Sequence, residues 1–357
     1  MKSLIVEVLN KLFGIKESNL KSLPLIKSVF VVRQHNQFGD LLASSALFVA
    51  IKEKYPNSKL TVLVSPQNYY AVTKNKYIDT VFIFNKKKLF NPFYLSKLIN
   101  ILKQKYDLAI IPSTVSLSFT SSLLGRLSNS KIRIGASELN GIKNKYSAFF
   151  DIRVPLDWRL YPDQHVADFG LEIVRNFGIT TTKFAPVISF DKDDLNFALS
   201  FLKSITKTQY NYIVGLHVGA GKPKNRWSLD KYINVIKNLI EKYKTMVYCT
   251  GSSSDKTEID YIKNNLGYNI GYCIDKKIPE LAAIISVSDL FITNDTGVMH
   301  VAGSTNTPQI SIFGPTNPYN WAPVGKNKYI CKTQSELIDD VTVEEVLILC
   351  EKLLGKK

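Results

Sequence analysis

Histidine, cysteine, tryptophan and methionine are all scarce in this chain of 357 residues, with four His, four Cys, three Trp and three Met. The cysteines (Cys249, Cys273, Cys331 and Cys350) form no Cys-x-x-Cys pair, so they read as reduced, structural thiols rather than a zinc ribbon or redox couple. His35, His165, His217 and His300 lie far apart without His-x-x-x-His spacing, and no metal site is expected. No run approaches the roughly 18 uncharged apolar residues that span a bilayer. Glu7 interrupts the apolar start MKSLIVEVLNKLF, which also lacks a small-residue cleavage site, so a secretory signal is not expected and the chain reads as cytoplasmic.

Acidic side chains are also few, 30 against 46 basic ones, for a net charge of +16. The deficit is confined to one half. Residues 1–188 hold 26 basic and 12 acidic side chains, whereas residues 189–357 hold 20 and 18. Such asymmetry points to a polyanionic partner for the first half: nucleic acid, an anionic membrane or a phosphorylated substrate. A lysine-rich solvated surface is the plainer alternative, although it leaves the neutral second half unexplained. RRM, KH and helix-turn-helix signatures are absent, so nucleic acid is not the expected partner. With 45% hydrophobic residues the chain has enough apolar material for real cores.

Those residues are arranged in alternating strand-like and helix-like runs. Ser28–Arg33, Lys59–Val64, Asp79–Phe84, Asp107–Pro112 and Lys131–Gly135 read as strands, and Asp40 to about Tyr55 as a helix closed by Pro56. The pattern restarts at Tyr212–His217, with helix Leu229–Tyr243, strand Met246–Thr250, helix Leu281–Ser288, strand Leu290–Thr293, helix Gly297–Ser304 and strand Gln309–Phe313. A closing helix, Val343–Leu354, is free to pack on either half. Strands alternating with helices predict parallel βαβ units, hence two Rossmann-like doubly wound domains. The expected divisions are an amphipathic leader at 1–27, a first domain at 28–188 and a second at 189–357.

Four stretches carry candidate chemistry. Phe38-Gly39-Asp40 puts a carboxylate at a strand-to-helix turn, where Asp40 is either a helix N-cap or a catalytic group. His217–Trp227 (HVGAGKPKNRW) offers small residues at Gly219, Ala220 and Gly221, with Lys222, Lys224 and Arg226 adding positive charge for a phosphate. Asn294–His300 (NDTGVMH) follows a buried strand and opens a helix, where Thr296 and the Gly297 and Val298 amides suit an anion and Asp295 suits sugar hydroxyls. Asp191-Lys192-Asp193-Asp194 contains an Asp-x-Asp, read here as acids favoured at a helix start. Neither a Walker A loop nor Gly-x-Gly-x-x-Gly is present.

In this order and spacing, Val31–Asp40 (VVRQHNQFGD), His165–Gly178 (HVADFGLEIVRNFG), His217–Trp227, Asp289–His300 (DLFITNDTGVMH) and Thr307–Thr316 resemble glycosyltransferase family 9, the heptosyltransferases of lipopolysaccharide core. The likeness covers about residues 28–340. It implies a GT-B fold, two Rossmann-like domains facing a cleft, and an inverting, metal-independent transferase with no cofactor beyond its donor. That donor is typically ADP-L-glycero-β-D-manno-heptose, bound by the second domain, and the acceptor is an anionic glycolipid bound by the first. Carried onto this sequence, Asp40 matches the general base. Ala220, Gly221, Asp295, Thr296, Gly297 and His300 match donor-contacting positions, and Asp255 follows the Thr250-Gly251 turn at another. One position departs: the family often has Lys two residues before the Trp, and here it is Asn225.

The basic first half suits a phosphorylated acceptor at the cytoplasmic membrane surface, implying a peripheral location. Leu4, Ile5, Val8, Leu9, Leu12 and Phe13 form one apolar face that either meets a membrane or docks on the protein, and Lys86–Tyr106 is a second stretch with the same two readings. The alternatives are a GT-B transferase for another nucleotide sugar and a non-catalytic polyanion-binding protein.

Overall fold

The computed structural model describes residues 2–34, 38–206 and 209–355. His35–Gln37 of the turn before Asp40, and the side chains of Lys2, Ser3, Leu4 and Ile5, lie outside the described set. The chain divides into unit 1, Met1–Phe184, and unit 2, Ala185–Lys357, each built round its own parallel sheet.

Unit 1 contains β1 (Ser28–Arg33), β2 (Lys59–Val64), β3 (Thr80–Ile83), β4 (Tyr106–Ile111), β5 (Ser130–Leu139), the short β6 (Ile142–Lys143) and β7 (Ile152–Leu156). They run in the order β3-β2-β1-β4-β5, with β6 antiparallel to β5 and β7 pairing β5 in parallel. Strands covered on both faces read as unbroken apolar runs, and Val29–Val32 and Leu108–Ile111 are fully buried for that reason. The helix read from Asp40 to Tyr55 is in fact two, Phe38–Ala43 and Ser45–Lys54. The break falls at Ser44, whose hydroxyl bonds back to the Asp40 carbonyl at 3.0 Å and competes with the helical ladder.

The leader belongs to unit 1. Helix Lys2–Phe13 packs Leu9 and Phe13 on the core, Phe13 meets Phe149 edge-on, and Arg126 Nε donates to the Phe13 carbonyl at 2.6 Å. The Ile15 and Ser18 amides then bond the carbonyls of Ala148 and Asp151. Of the apolar face read from sequence, Leu9 and Phe13 dock on the protein, whereas Val8 and Leu12 stay exposed.

Unit 2 contains β8 (Tyr212–His217), β9 (Thr245–Gly251), β10 (Gly271–Ile274), β11 (Leu290–Asn294), β12 (Gln309–Ile312) and β13 (Lys328–Cys331), all parallel, in the order β10-β9-β8-β11-β12-β13. Helices Leu229–Tyr243 and Val343–Leu354 have the bounds expected from sequence, and the closing helix packs on unit 2 through Val346, Cys350 and Leu354. All four cysteines are buried here, and burial pushes the Cys249 thiol up to about 12, as suits inert core thiols.

Both sheets reverse their winding beside their first strand. In unit 1 the switch point lies between β1 and β4, and in unit 2 between β8 and β11. Loops leaving the carboxyl ends of those strands flank the position where open α/β sheets bind ligands. No helix among the described residues is long and apolar enough to cross a membrane.

Candidate active site

At the switch point of unit 1, β1 ends in Arg33, a guanidinium 2% exposed, and the next helix carries Asp40, 3% exposed. A buried cation demands a buried anion, and Arg33 Nη2 pairs with Asp40 Oδ1. The same nitrogen donates to the Asp40 carbonyl at 3.2 Å, and Arg33 Nε donates to Ser44 Oγ at 2.8 Å. From the loop after β4, Thr114 Oγ1 donates to Asp40 Oδ1 at 2.5 Å. Asp40 is therefore not the helix N-cap that local sequence allowed. It lies inside the first turn of Phe38–Ala43, and its carboxylate is bound by groups from other elements.

Its second oxygen, Oδ2, is buried and has no hydrogen-bond partner among the described residues. A buried acceptor left unsatisfied costs about 1–3 kcal/mol, which marks Oδ2 as the atom of this cluster open to a further partner. The stretch 165–178 lies near the same rim as two short helices, Val166–Phe169 and Glu172–Arg175, rather than one. His165 caps the first by accepting the Ala167 amide at Nδ1, and Gly178 ends the second with φ at +64°. Trp158 stacks on Phe169 and donates from Nε1 to the Thr114 carbonyl at 2.6 Å, fixing the loop that carries Thr114.

At the switch point of unit 2, the loop after β8 and the turn after β11 are tied together through Asn294. Its Nδ2 donates to the Val218 and Gly219 carbonyls at 2.9 and 3.3 Å, while its Oδ1 accepts from Tyr232 Oη at 2.9 Å and from the Trp227 amide. Trp227 is buried and donates from Nε1 to the Val341 carbonyl at 2.9 Å. One residue further, Asp295 accepts from Asn225 Nδ2 at 2.8 Å and is bonded by the Thr316 side chain. Burial pushes the Asp295 carboxyl above its ordinary range, against the pull of Thr316, Lys222 and Lys332. Lys332 steadies the Thr316 loop, donating to the Gly314 and Thr316 carbonyls at 2.5 and 3.0 Å. Asn225 is buried, and its Oδ1 has no partner among the described residues.

The residues named from sequence divide by what they already hold. Lys222 and Lys224 are exposed on the loop, and Lys222 is near enough to Asp295 to act on its charge. Arg226 instead closes the loop, with Nε on the Ala220 carbonyl at 2.8 Å and Nη1 on Glu258 at 2.6 Å. Asp255 Oδ2 is bound by the Ser252 amide and hydroxyl, capping the turn into helix Lys256–Asn265. Its other oxygen crowds Gly219, where an added methyl would lie 2.2 Å from Oδ1, so glycine is required by close approach. Gly221, by contrast, faces open space. Thr296 opens helix Gly297–Gly303 without a side-chain cap bond, and His300 is buried in that helix.

Sequence reading gave no role of their own to Arg33, Thr114, Asn294, Thr316 and Lys332, although Asn294 and Thr316 stand in stretches it singled out. A cation ending an otherwise apolar strand was the available signal for Arg33; the others become visible only when distant loops meet. Among the described residues no three His, Cys, Asp or Glu side chains gather as a metal-binding group. The acids at Asp191 and Asp194 form a capping box on helix Lys192–Ile205.

Solved structures share this architecture. A glycosyl transferase family 9 protein from Veillonella parvula superposes with a TM-score of 0.80 at 19% identity, covering 94% of this chain and all of that one. The Escherichia coli heptosyltransferase WaaC, solved with ADP, gives 0.69 at 16% identity over 91% and 99% of the two chains. It was also solved with ADP-2-deoxy-2-fluoro heptose. The fold is thus GT-B, a two-unit glycosyltransferase architecture. The family profile "Glycosyltransferase family 9 (heptosyltransferase)" matches residues 95–346, and the chain belongs to that family. Among curated relatives, the Escherichia coli lipopolysaccharide heptosyltransferase 3 is 26% identical over 302 residues, 81% of this chain and 84% of the relative. The Haemophilus ducreyi lipooligosaccharide heptosyltransferase 2 is 24% identical over 310 residues, 82% and 85%.

Proposed function

We propose that this glycosyltransferase is an inverting enzyme that moves heptose from ADP-L-glycero-β-D-manno-heptose to a lipopolysaccharide-core or related anionic glycolipid acceptor. Unit 2 holds the donor, unit 1 holds the acceptor, and Asp40 is the general base. The observation that carries the reading is Asp40 itself: a buried carboxylate anchored through Oδ1 by Arg33 and Thr114, with Oδ2 unpartnered among the described residues. The acceptor hydroxyl gives its proton to Oδ2 as its oxygen bonds to the anomeric carbon, and the carbon–oxygen bond to ADP breaks with the electron pair leaving on ADP. A β-linked donor then yields an α-linked product.

Charge developing on the leaving diphosphate is met by Lys222, Lys224 and the first amides of helix Gly297–Gly303, groups that need no reorganisation. Asp295 and Asn225 Oδ1, which has no partner among the described residues, take hydroxyl or N–H donors of the nucleotide sugar. No metal is given a step. The family's heptosyltransferase character supports heptose as the sugar, and the two WaaC complexes support ADP as its carrier. The basic composition of residues 1–188 supports an anionic acceptor.

Calorimetric titration with ADP-heptose, ADP, UDP and GDP, on wild type and Asp40→Asn, tests both halves of the proposal. ADP-heptose and ADP should bind selectively, and Asp40→Asn should bind them equally well while losing at least about 100-fold in turnover. Binding of UDP or GDP in place of ADP would replace the donor, an outcome that Asn225 at a usual Lys position makes worth measuring. Full turnover by Asp40→Asn would remove Asp40 as the base.

A further inference from the structure

Between Asp79 and Asp107 the chain carries six lysines and no acidic residue: Lys86, Lys87, Lys88, Lys97, Lys103 and Lys105. The same segment exposes aromatic rings to an unusual degree, Phe90 at 98% and Phe93 at 80%, with Leu95 and Ile99 also exposed. These rings are presented on an ordered support. Asn85 Oδ1 accepts the Lys87 amide and Asn91 Oδ1 accepts the Tyr94 amide, capping the turn Lys86–Lys88 and the helix Pro92–Lys103. Tyr94 Oη accepts the Asn85 amide at 2.6 Å and donates to the Ile83 carbonyl at 2.9 Å. Leu98 and Leu102 bury the opposite face of the helix in the unit 1 core.

The segment follows β3, which is parallel to β1 and β2, so it emerges at the carboxyl edge of the sheet. That is also the edge from which the loops of Asp40 and Thr114 leave. The helix runs back toward the opposite edge, which leaves Phe90, Phe93 and the three consecutive lysines at its start, on the catalytic rim of unit 1.

We infer that Phe90 and Phe93, ringed by Lys86, Lys87 and Lys88, form an anchor that inserts into the headgroup layer of an anionic lipid bilayer. Aromatic side chains favour that layer, and clustered lysines are drawn to its negative surface potential. Charge complementarity chooses this occupant: a segment with no acidic residue does not match a second copy of itself. The inference deepens the proposed function by bringing the rim of Asp40 to the surface where a lipid-borne acceptor lies. It rests on that reading only for the acceptor.

The test is co-sedimentation of the full chain with vesicles of phosphatidylcholine alone and of phosphatidylcholine with phosphatidylglycerol, at low and high salt. Wild type should pellet with the anionic vesicles and be released by salt. Phe90→Ser with Phe93→Ser should weaken binding more than about tenfold, and each of Lys86→Ser, Lys87→Ser and Lys88→Ser by about fivefold. Turnover on a detergent-dispersed acceptor should not change in the double Phe variant. No preference for anionic vesicles, or unchanged binding by the double Phe variant, would overturn the anchor. So would a dimer in sedimentation velocity that this variant dissolves. Vesicle binding lost in the Phe variant by a protein inactive toward ADP-heptose would leave the anchor standing and remove only the proposed reaction.

Discussion

Thr114 Oγ1 donates to Asp40 Oδ1 at 2.5 Å across the switch point of unit 1, joining the loop after β4 to the helix after β1. Unit 2 repeats the device, with Asn225 Nδ2 donating at 2.8 Å to Asp295 from the loop after β8 to the turn after β11. In each unit a neutral donor locks an aspartate at the topological switch point, and in each one oxygen of the pair has no partner among the described residues, Oδ2 of Asp40 and Oδ1 of Asn225.

With Asp40 as the proposed base, Thr114 would act through it, and its loss should change the chemical step and not donor binding. Thr114→Val should lower kcat at least about tenfold while leaving donor KM unchanged, and cost about 1–2 kcal/mol of stability from the lost bond. Thr114→Ser keeps the hydroxyl and should recover the rate. A serine variant as slow as the valine variant would show that the hydroxyl is not what positions Asp40.

Removing the Asp40 charge strands the Arg33 guanidinium in the core. Breaking a buried pair from one side costs about 3–5 kcal/mol, so Asp40→Asn should melt clearly below wild type yet remain folded and able to bind donor. Arg33→Met with Asp40→Asn should recover part of that stability without activity. Denaturant titration of the three proteins separates the structural cost from the chemical one.

Asp295 is held ionisable in a half-buried site by Asn225, Thr316 and two lysines. Asn225→Ala should weaken ADP binding by about tenfold, because an unanchored Asp295 turns toward the loop, a loss of about 1.4 kcal/mol. Asn225→Lys supplies a cation in its place and should restore binding. Equal affinity in all three proteins, read by calorimetry, would detach this pair from the donor site.

His217 is fully buried at the end of β8, and burial lowers its pKa from the ordinary 6.5. Its Nδ1 lies 3.1 Å from the Thr250 carbonyl, so the neutral ring donates there. Below pH 6.5 the unfolded chain binds a proton that the folded one refuses, and stability falls with pH until the folded pKa is reached. Melting curves between neutral and mildly acidic pH should show a steeper loss in wild type than in His217→Gln, and parallel curves would contradict the assignment.

Gly219 fits only because it lacks a side chain. Gly219→Ala would press a methyl against Asp255 Oδ1, displacing the cap of helix Lys256–Asn265 and the carbonyl held by Asn294. Lower melting temperature together with weaker ADP binding is the expected result. Normal values for both would mean the loop after β8 yields without consequence.

Much of this was legible before any coordinates. Uninterrupted β-branched runs marked the buried parallel strands, and the helix read over Leu229–Tyr243 has those bounds in the structure. The second, neutral half showed its candidate donor loop because glycine and lysine crowd into one turn. What stayed hidden depends on meetings between distant segments. Local sequence left Asp40 open between a cap and a catalytic group because nothing near it reveals Thr114, 74 residues on. Arg226 looked like a phosphate ligand because Glu258, which binds it, comes from another helix. The break at Ser44 arises from a hydroxyl turning back on its own helix, a choice that apolar periodicity does not record.

The most direct test of the account is a transfer assay with purified protein, ADP-heptose and a heptose-deficient lipopolysaccharide acceptor, following ADP release and the anomeric configuration of the product. The account predicts ADP release that requires the acceptor, an α-linked heptose, and loss of both in Asp40→Asn. Retention of the β configuration, or turnover of a UDP- or GDP-sugar with none of ADP-heptose, would contradict it.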